Sequence, residues 1–331
     1  MKTSDSHVQH YPEDNPCNRC SFLACRDRPL TYFRQCSAWR EWFADRWQGY
    51  QIAAEKIKTS RQATRRITMR NMSKIAIINL KGGVGKSVTA CNLACILAEK
   101  HSRRVLVMDL DKQANTTKFF QCFDPRGKTM ASVLTLDNKL KDVICHQEKF
   151  KVDVAPSCMS MNFANKLVML EAGRPQHNRI ANALAPLADA YDYCIMDCPP
   201  DIDIATINAL VCADWLIIPM DCGEWAMDGL KEILAQVQDV KENYNPGLEV
   251  MCVLPTMYRR TRYGAKAIDA LMDSKLPIFY SERGGVLRIN ACAAVQEAVS
   301  EHMPLCDYSP KCKATEQYLE LARKVISKVE G

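Results

Sequence analysis

One short run of this 331-residue chain combines glycines with a lysine and a serine, LKGGVGKSV at residues 80–88. Glycines let consecutive backbone N–H groups curl around an anion, and the N-terminus of a following helix adds partial positive charge. The run follows the apolar segment KIAIIN and opens a helical pattern, which is the context that a phosphate-binding loop requires. We therefore predict a nucleotide site formed by Lys81, Gly82, Gly83, Val84, Gly85, Lys86, Ser87 and Val88.

Three aspartates follow apolar runs that have the character of buried strands. Asp109 and Asp111 come after RVLVM, and Asp197 ends YDYCIMD. Sites in parallel α/β sheets form at the carboxyl ends of the strands, and carboxylate oxygens suit Mg²⁺. We expect Lys86 to contact the phosphates and Ser87 to ligate Mg²⁺. The competing interpretation for each aspartate is a helix cap or a surface charge.

Short Val/Ile/Leu-rich runs alternate with helical patterns after residue 72, which predicts an α/β fold with a mostly parallel, doubly wound sheet. The expected strands are 74–79, 104–109, 151–155, 192–197, 214–219, 249–254 and 277–280. The expected helices are 86–100, 160–171, 178–188, 204–212, 225–243, 262–273, 291–301 and 313–329.

Several motifs together resemble the deviant Walker A ATPases of the ParA/MinD type, and the layout is closest to the ParA/Soj partition branch. Residues 81–87 resemble the KGGxGK[ST] signature, with Leu80 at the usual first-glycine position. Residues 105–115 resemble hhhhDxDPQxN, although Lys112 replaces the usual proline, and 192–200 resemble the Walker B motif hhhDxPP. Further similarity lies at 215–220, 254–262 and 297–321, so the resemblance extends over about 250 residues.

The resemblance implies a slow, partner-stimulated ATPase that uses ATP and Mg²⁺. It assigns Asp109 and Asp197 to the Mg²⁺ shell, Asp111 to the attacking water, and Lys86 to the phosphates. Lys81 would reach the partner's phosphates across an ATP-sandwiched homodimer, much as an arginine finger supplies charge in trans. The alternative for Lys81 is a pairing with a local carboxylate.

Charge divides the chain near residue 72. Residues 1–71 hold 13 of the 44 Lys/Arg residues and 7 of the 38 Asp/Glu residues, which leaves 31 of each for residues 72–331. We therefore separate a basic N-terminal extension and linker (1–71) from a P-loop ATPase domain (72–331). Aromatic residues from Trp39 onward predict an amphipathic helix to about Ile57. The excess charge indicates either a solvated surface or an arm that faces nucleic acid.

The extension also contains a cysteine group with the spacing C-x2-C-x4-C-x10-C, formed by Cys17, Cys20, Cys25 and Cys36. Such spacing can supply a tetrahedral Zn²⁺ site, and a structural metal could fold a segment of this size. An iron–sulfur cluster and free thiols are the alternatives. The cysteines in the predicted helices and strands (Cys91, Cys95, Cys194, Cys212 and Cys252) are interpreted as small core residues.

No apolar run of about 18 residues is present, and the polar first 16 residues do not resemble a secretory signal. These features predict a cytoplasmic protein. The expected function is an ATP-dependent dimeric partition ATPase that binds DNA non-specifically, is nucleoid-associated and is stimulated by a ParB-like protein. Candidate DNA contacts are Arg259, Arg260, Arg262 and Arg288. The alternatives are a MinD-like membrane-associated ATPase and a DNA-binding regulator, while a redox ATPase lacks a suitable cysteine pair in glycine-containing loops.

Overall fold

The computed structural model describes residues 72–223 and 226–331. The cysteine group, the basic arm and the amphipathic helix predicted for residues 1–71 lie outside the described residues, so each of them stays a prediction.

A mostly parallel sheet forms the centre of the described part, in the order β3-β4-β2-β5-β1-β6-β7. Strand β3 runs antiparallel to β4 at one edge, whereas the other neighbouring pairs are parallel. The strands are β1 (Ser73–Ile77), β2 (Val105–Asp109), β3 (Cys145–Gln147), β4 (Val152–Ala155), β5 (Tyr193–Asp197), β6 (Trp215–Asp221) and β7 (Glu249–Thr256).

Helices connect the strands and complete the chain after β7. They are α1 (Lys86–His101), α2 (Asn115–Phe119), α3 (Met130–Leu134), α4 (Ser160–Leu170), α5 (Arg179–Leu184), α6 (Ile204–Cys212), α7 (Ala226–Asn243), α8 (Arg262–Asp273), α9 (Ala293–Ser300), α10 (Leu305–Tyr308) and α11 (Lys313–Glu330). Short 3-10 turns cover residues 140–142, 148–150 and 185–187.

The sheet is buried on both faces, as the unbroken apolar strands predicted. Ile75 and Ile77 of β1 belong to the core shared with α1 and α11. Ala76 and the following Ile78 belong to the core on the opposite face, which includes side chains of α5, α6 and α7. This alternation confirms the α/β fold with helices on both sides of the sheet.

Two secondary-structure predictions were wrong in detail. Residues 277–280 form no strand, because Pro277 has no N–H to donate to a strand ladder. The Pro277 carbonyl accepts a hydrogen bond from the Val253 N–H at 2.8 Å, and Tyr280 forms only an isolated bridge to Val286. The helix predicted over 178–188 ends at Leu184, and Pro186 lies in the 3-10 turn that follows. The short polar strand β3 was not predicted at all.

The topology brings the candidate residues to one edge of the sheet. Strand β1 leads into the glycine-rich loop, while β2, β5 and β6 end at Asp109, Asp197 and Asp221. In the sheet, β1 lies between β5 and β6, and β5 lies between β1 and β2. Because these strands are parallel, their carboxyl ends lie side by side around the loop.

Candidate active site

The glycine-rich loop between β1 and α1 has the backbone geometry of an anion-binding loop. Gly83 and Gly85 adopt left-handed conformations, with φ of 74° and 83°. Gly85 is also the N-cap of α1, which has neither a side-chain cap nor an acidic residue in its first turn. The N-terminal N–H groups of α1 are therefore left for a ligand, as an anion site at a helix N-terminus requires.

Lys86 lies inside this loop rather than in solvent. Its side chain is buried, and its Nζ donates to the Lys81 carbonyl at 3.0 Å. Burial lowers the pKa of Lys86, while the nearby Asp197 and Asp111 carboxylates act to raise it. A cation held between the loop and two carboxylates is placed to neutralise phosphate charge.

Two polar side chains that sequence reasoning missed fix the loop to the neighbouring strands. Asn79 donates to the Pro219 carbonyl at 2.7 Å and accepts from the Lys81 N–H at 2.9 Å. The Thr256 hydroxyl lies 2.8 Å from the Val84 carbonyl and 3.2 Å from the Met220 carbonyl. Asn79 directly precedes the motif and could have been suspected, but nothing in the sequence pattern singles out Thr256.

Asp197 ends β5 and keeps one oxygen without a protein partner. Its Oδ2 accepts a hydrogen bond from the Thr116 hydroxyl at 2.7 Å. Its Oδ1 is buried and has no hydrogen-bond partner among the described residues. Burial raises the pKa of Asp197, and the hydrogen bond from Thr116, together with the nearby Ser87 hydroxyl, opposes the shift. An unsatisfied buried carboxylate oxygen beside Ser87 fits a hard cation such as Mg²⁺.

Asp109 ends the adjacent strand β2 and lies directly beside Asp197 in the sheet register. Unlike Asp197, Asp109 accepts hydrogen bonds at both carboxylate oxygens. Its Oδ2 accepts from the Thr117 N–H at 2.8 Å and from the Thr117 hydroxyl at 2.7 Å. Its Oδ1 accepts from the Asp111 N–H at 3.0 Å. Burial, and next the charge of Asp197, raise the pKa of Asp109. In this structure Asp109 orders the loop that carries Asp111.

Asp111 lies at the start of that loop and is nearly buried. Its Oδ1 accepts from the Gln113 N–H at 2.9 Å, which closes a local turn. Lys112, the residue in place of the family's usual proline, has its Nζ 3.8 Å from an Asp201 oxygen. The sequence-predicted Lys86, Asp109, Asp111 and Asp197 thus converge at one edge of the sheet.

Lys81 points away from its own loop. Its side chain is 53% exposed, and Nζ lies 2.7 Å from the Asp221 Oδ2 at the end of β6. The backbone carbonyl of Lys81 faces the loop and accepts a hydrogen bond from the Lys86 Nζ. The single chain therefore shows Lys81 in a local ion pair, while a role in a second copy's site stays a proposal.

The arginines predicted to contact DNA fall into two environments. Arg259, Arg260 and Arg262 are exposed just after β7 and at the start of α8, and none forms an ion pair within the described residues. Arg288 is partly buried, with its guanidinium carbon 4.4 Å from the centroid of the Tyr258 ring. Since Tyr258 adjoins Arg259, Arg288 stacks beside the cluster instead of extending from it.

Metal-capable groups are scarce in residues 72–223 and 226–331. The one group of three such side chains there is Glu99, Cys306 and Asp307, and the Lys100 ammonium lies 3.0 Å from Glu99 and 3.9 Å from Asp307. The described cysteines are free thiols. Their predicted role as core residues is confirmed for the five named above, since Cys91, Cys95, Cys194, Cys212 and Cys252 are all buried.

A doubly wound parallel sheet with a glycine-rich loop, a buried lysine and strand-end carboxylates defines the class of α/β P-loop nucleotide-binding proteins. Comparison with known proteins agrees. The AAA domain family matches residues 72–250. The sporulation initiation inhibitor protein Soj of Bacillus subtilis is 32% identical over 262 residues, covering 76% of this chain and 98% of Soj. The chromosome partitioning protein ParA of Caulobacter vibrioides NA1000 is 31% identical over 259 residues, covering 77% and 94%.

Solved structures show the same fold. Cobyrinic acid a,c-diamide synthase from Mycobacterium smegmatis, with a bound ATP analogue and magnesium, has a TM-score of 0.67 at 26% identity, covering 78% of this chain and 96% of that one. The ATP complex of Cyanothece McdA(D38A) has a TM-score of 0.68 at 23% identity, covering 78% and 97%, which supports the fold alone. The chain belongs to the ParA/Soj/MinD-type ATPases of the AAA domain family.

Proposed function

We propose that this protein is an ATP-hydrolysing partition ATPase that dimerises with ATP, binds DNA without sequence specificity and releases it when a ParB-like partner stimulates hydrolysis. The observation that carries the proposal is the buried Asp197 Oδ1 near the P-loop, which has no hydrogen-bond partner in the part of the chain that the structure describes. It provides a carboxylate for a nucleotide-bound cation beside a buried lysine, in a chain whose named relatives include ParA and Soj.

The residues at this edge divide the chemistry among them. The loop N–H groups bind phosphate, and Lys86 exchanges the Lys81 carbonyl for phosphate oxygens. Ser87 and Asp197 would hold Mg²⁺, with Asp109 acting through its waters. When bound, Mg²⁺ neutralises charge on the phosphates. Asp111 orients the attacking water, and Asp109 also fixes the Asp111 N–H. Catalysis of this kind rests on positioning and charge.

Dimerisation gives the exposed Lys81 its role. Among the described residues of one copy, the Lys81 ammonium pairs with Asp221 alone, and exposed ion pairs contribute about 0–1 kcal/mol. Such a pair is easily exchanged for a phosphate of a second copy's nucleotide. Dimerisation would also double the cluster Arg259, Arg260 and Arg262, so that a formally neutral domain presents six arginines to duplex DNA.

The MinD-like alternative requires an amphipathic helix whose apolar face is not packed in the core and can contact a membrane surface. In α11, Tyr318, Leu321, Ala322 and Val325 are buried in the core shared with α1, so the apolar face of this helix is already used. No helix of the described residues is long and apolar enough to cross a membrane. The packing of α11 in the core favours the partition function over the membrane-associated one.

The test of dimerisation uses Asp111→Ala to block hydrolysis. With Mg²⁺ and ATP, light scattering should show a dimer for Asp111→Ala and a monomer for Asp111→Ala/Lys81→Ala, because the double variant lacks the lysine that acts in trans. ATP binding by isothermal titration must remain intact in both. A monomer for Asp111→Ala despite saturating ATP would refute the sandwich dimer.

The test of DNA binding compares two triple variants that remove equal charge. Arg259→Ala/Arg260→Ala/Arg262→Ala removes the cluster, while Arg126→Ala/Lys139→Ala/Lys141→Ala removes three exposed cations elsewhere. Each phosphate contact contributes roughly −0.9 to the slope of log affinity against log salt, so the first variant should flatten the slope by up to about 5 units per dimer. Equal effects of the two variants would contradict an interface at the cluster, and slopes unchanged from wild type in both would point to the basic extension.

A further inference from the structure

Two cysteines of the described chain lie together at the surface. The Sγ atoms of Cys292 and Cys312 are 3.9 Å apart, and both residues are partly exposed. Since a disulfide has an S–S length of about 2.05 Å, a bond between them needs a displacement of about 2 Å. Two thiols at this distance can be joined by a disulfide when an oxidant takes up two electrons.

The surrounding structure holds the two thiols in place. Cys292 is the N-cap of α9, and Cys312 is the N-cap of the 18-residue helix α11. Two reciprocal hydrogen bonds tie the two segments together: Gln317 accepts from the Asn290 N–H at 2.8 Å and donates to the Asn290 Oδ1 at 2.9 Å. The fold therefore holds the backbones of the two cysteines side by side.

Cys312 has the surroundings of a nucleophilic thiol. Exposed Lys311 and Lys313 flank it in sequence, and the Cys292 thiol donates toward it. Burial acts to raise the pKa of Cys312, but hydrogen bonding from Thr315, Cys292 and the first-turn N–H of Ala314 lowers it overall. By contrast, burial raises the pKa of the core thiol Cys252. Thiolates at helix N-termini next to cations are the reactive ones.

The Thr315 hydroxyl contributes only part of this effect. It lies 3.5 Å from the Cys312 Sγ but 2.7 Å from the Ser309 carbonyl, which is the closer acceptor for its single proton. The helix N-terminus and the neighbouring thiol thus remain the main stabilising groups.

A metal explains the pair less well than redox chemistry does. Zinc sites need about four protein ligands, or three with a water. Within the described residues, neither Cys292 nor Cys312 belongs to a group of three metal-capable side chains. A dithiol without further ligands matches a reversible disulfide.

We propose that Cys292 and Cys312 form a reversible intrachain disulfide, in which Cys312 is the thiol that reacts first with a peroxide. The Cys312 sulfur attacks hydrogen peroxide, an S–O bond forms as the O–O bond breaks, and the leaving hydroxide is released as water. The Cys292 sulfur then attacks the Cys312 sulfenic acid, so that an S–S bond forms, the S–O bond breaks and a second water leaves. Two thiols lose two electrons in total, and one peroxide is reduced to two waters.

The experiment maps the bond in the full chain after peroxide treatment, with remaining thiols blocked by N-ethylmaleimide before non-reducing tryptic digestion. Trypsin cleaves after Arg288, Lys311 and Lys313, which separates Cys312 from a peptide that holds both Cys292 and Cys306. Wild type should give peptide 289–311 linked to 312–313, and dithiothreitol should remove the link.

The control uses the second cysteine of the same peptide. Cys306→Ser should retain the linked peptide, because Cys306 is buried, whereas Cys292→Ser should lose it completely. A link that persists in Cys292→Ser, or peroxide oxidation of Cys312 without any link in wild type, would overturn the proposal. Should Cys292→Ser fail to fold, iodoacetamide competition on reduced wild type decides, since Cys312 must be alkylated before Cys292.

Discussion

The P-loop has an inner end within the protein, where Lys86 lies, and an outer end at the protein surface, where Lys81 lies. At the inner end, Lys86 is buried near Asp197, whose Oδ1 has no hydrogen-bond partner among the described residues. At the outer end, Lys81 is half exposed and pairs with Asp221. We propose that the inner end binds nucleotide in one copy, whereas the outer end presents the Lys81 ammonium to a second copy. The two ends would then distinguish what one chain can do from what requires two.

The two lysines should differ most in what they contribute to ATP binding by one copy. Hydrogen bonds to charged groups contribute about 1.5–3 kcal/mol, so Lys86→Ala should weaken ATP binding by roughly 10- to 150-fold. Lys81→Ala should leave ATP binding to the monomer nearly unchanged, because its ammonium faces Asp221. Isothermal titration with ATP and Mg²⁺ measures both. Similar losses in the two variants would show that Lys81 serves its own loop.

The two carboxylates at the inner end can be separated in the same way. Asp109→Asn places an amide where three donors converge, which should lower the free energy of unfolding by about 1–3 kcal/mol. Asp197→Asn can keep the Thr116 hydrogen bond and removes a buried charge, so stability should not fall. In Asp197→Asn, Mg²⁺ should no longer increase the affinity for ADP. Urea unfolding and titration of ADP with and without Mg²⁺ test both, and equal destabilisation would contradict the distinction.

Mg²⁺ binding at the inner end should depend on pH. Burial raises the pKa of both Asp109 and Asp197, and a cation binds the charged form. Lowering the pH adds protons that Mg²⁺ must displace, so the affinity for Mg²⁺–ADP should fall as pH decreases from about 8 to 6. ADP without Mg²⁺ is the control, and an affinity independent of pH would argue that neither carboxyl serves the cation.

The smallest effect is expected from Asp221→Asn. It removes an exposed ion pair worth about 0.2–1 kcal/mol, so each freed Lys81 should favour the ATP-bound dimer by roughly 1.4- to 5-fold. Sedimentation of the variant in an Asp111→Ala background provides the measurement. Asp273→Asn, which removes an exposed charge on α8, should leave dimerisation unchanged. A weaker dimer for Asp221→Asn would mean that the pair supports assembly.

The sequence predicted the parts of the site that are contiguous and left out those that join distant segments. The P-loop residues and the strand-end aspartates could be found because glycine spacing and apolar runs are local signals. The pairing of Lys81 with Asp221 spans 140 residues, and that of Val84 with Thr256 spans 172. Such contacts depend on the strand order.

The pattern of apolar residues also could not predict that the two strand-end aspartates have different hydrogen-bond partners. Asp109 and Asp197 follow similar apolar runs and face each other in register, so periodicity treats them alike. What distinguishes them is the placement of Thr116 and Thr117 at the start of α2, which directs one hydroxyl to each carboxylate. A short polar helix of this kind has little periodicity from which to predict it.

The side chains that fix the P-loop make it part of a linkage across three strands. Asn79 joins the loop to the end of β6, and Thr256 joins it to the ends of both β6 and β7. We expect a loop restrained in this way to move together with the strand end that carries Asp221 when it adjusts to a phosphate. Binding at the nucleotide site would then displace the surface where Lys81 is held.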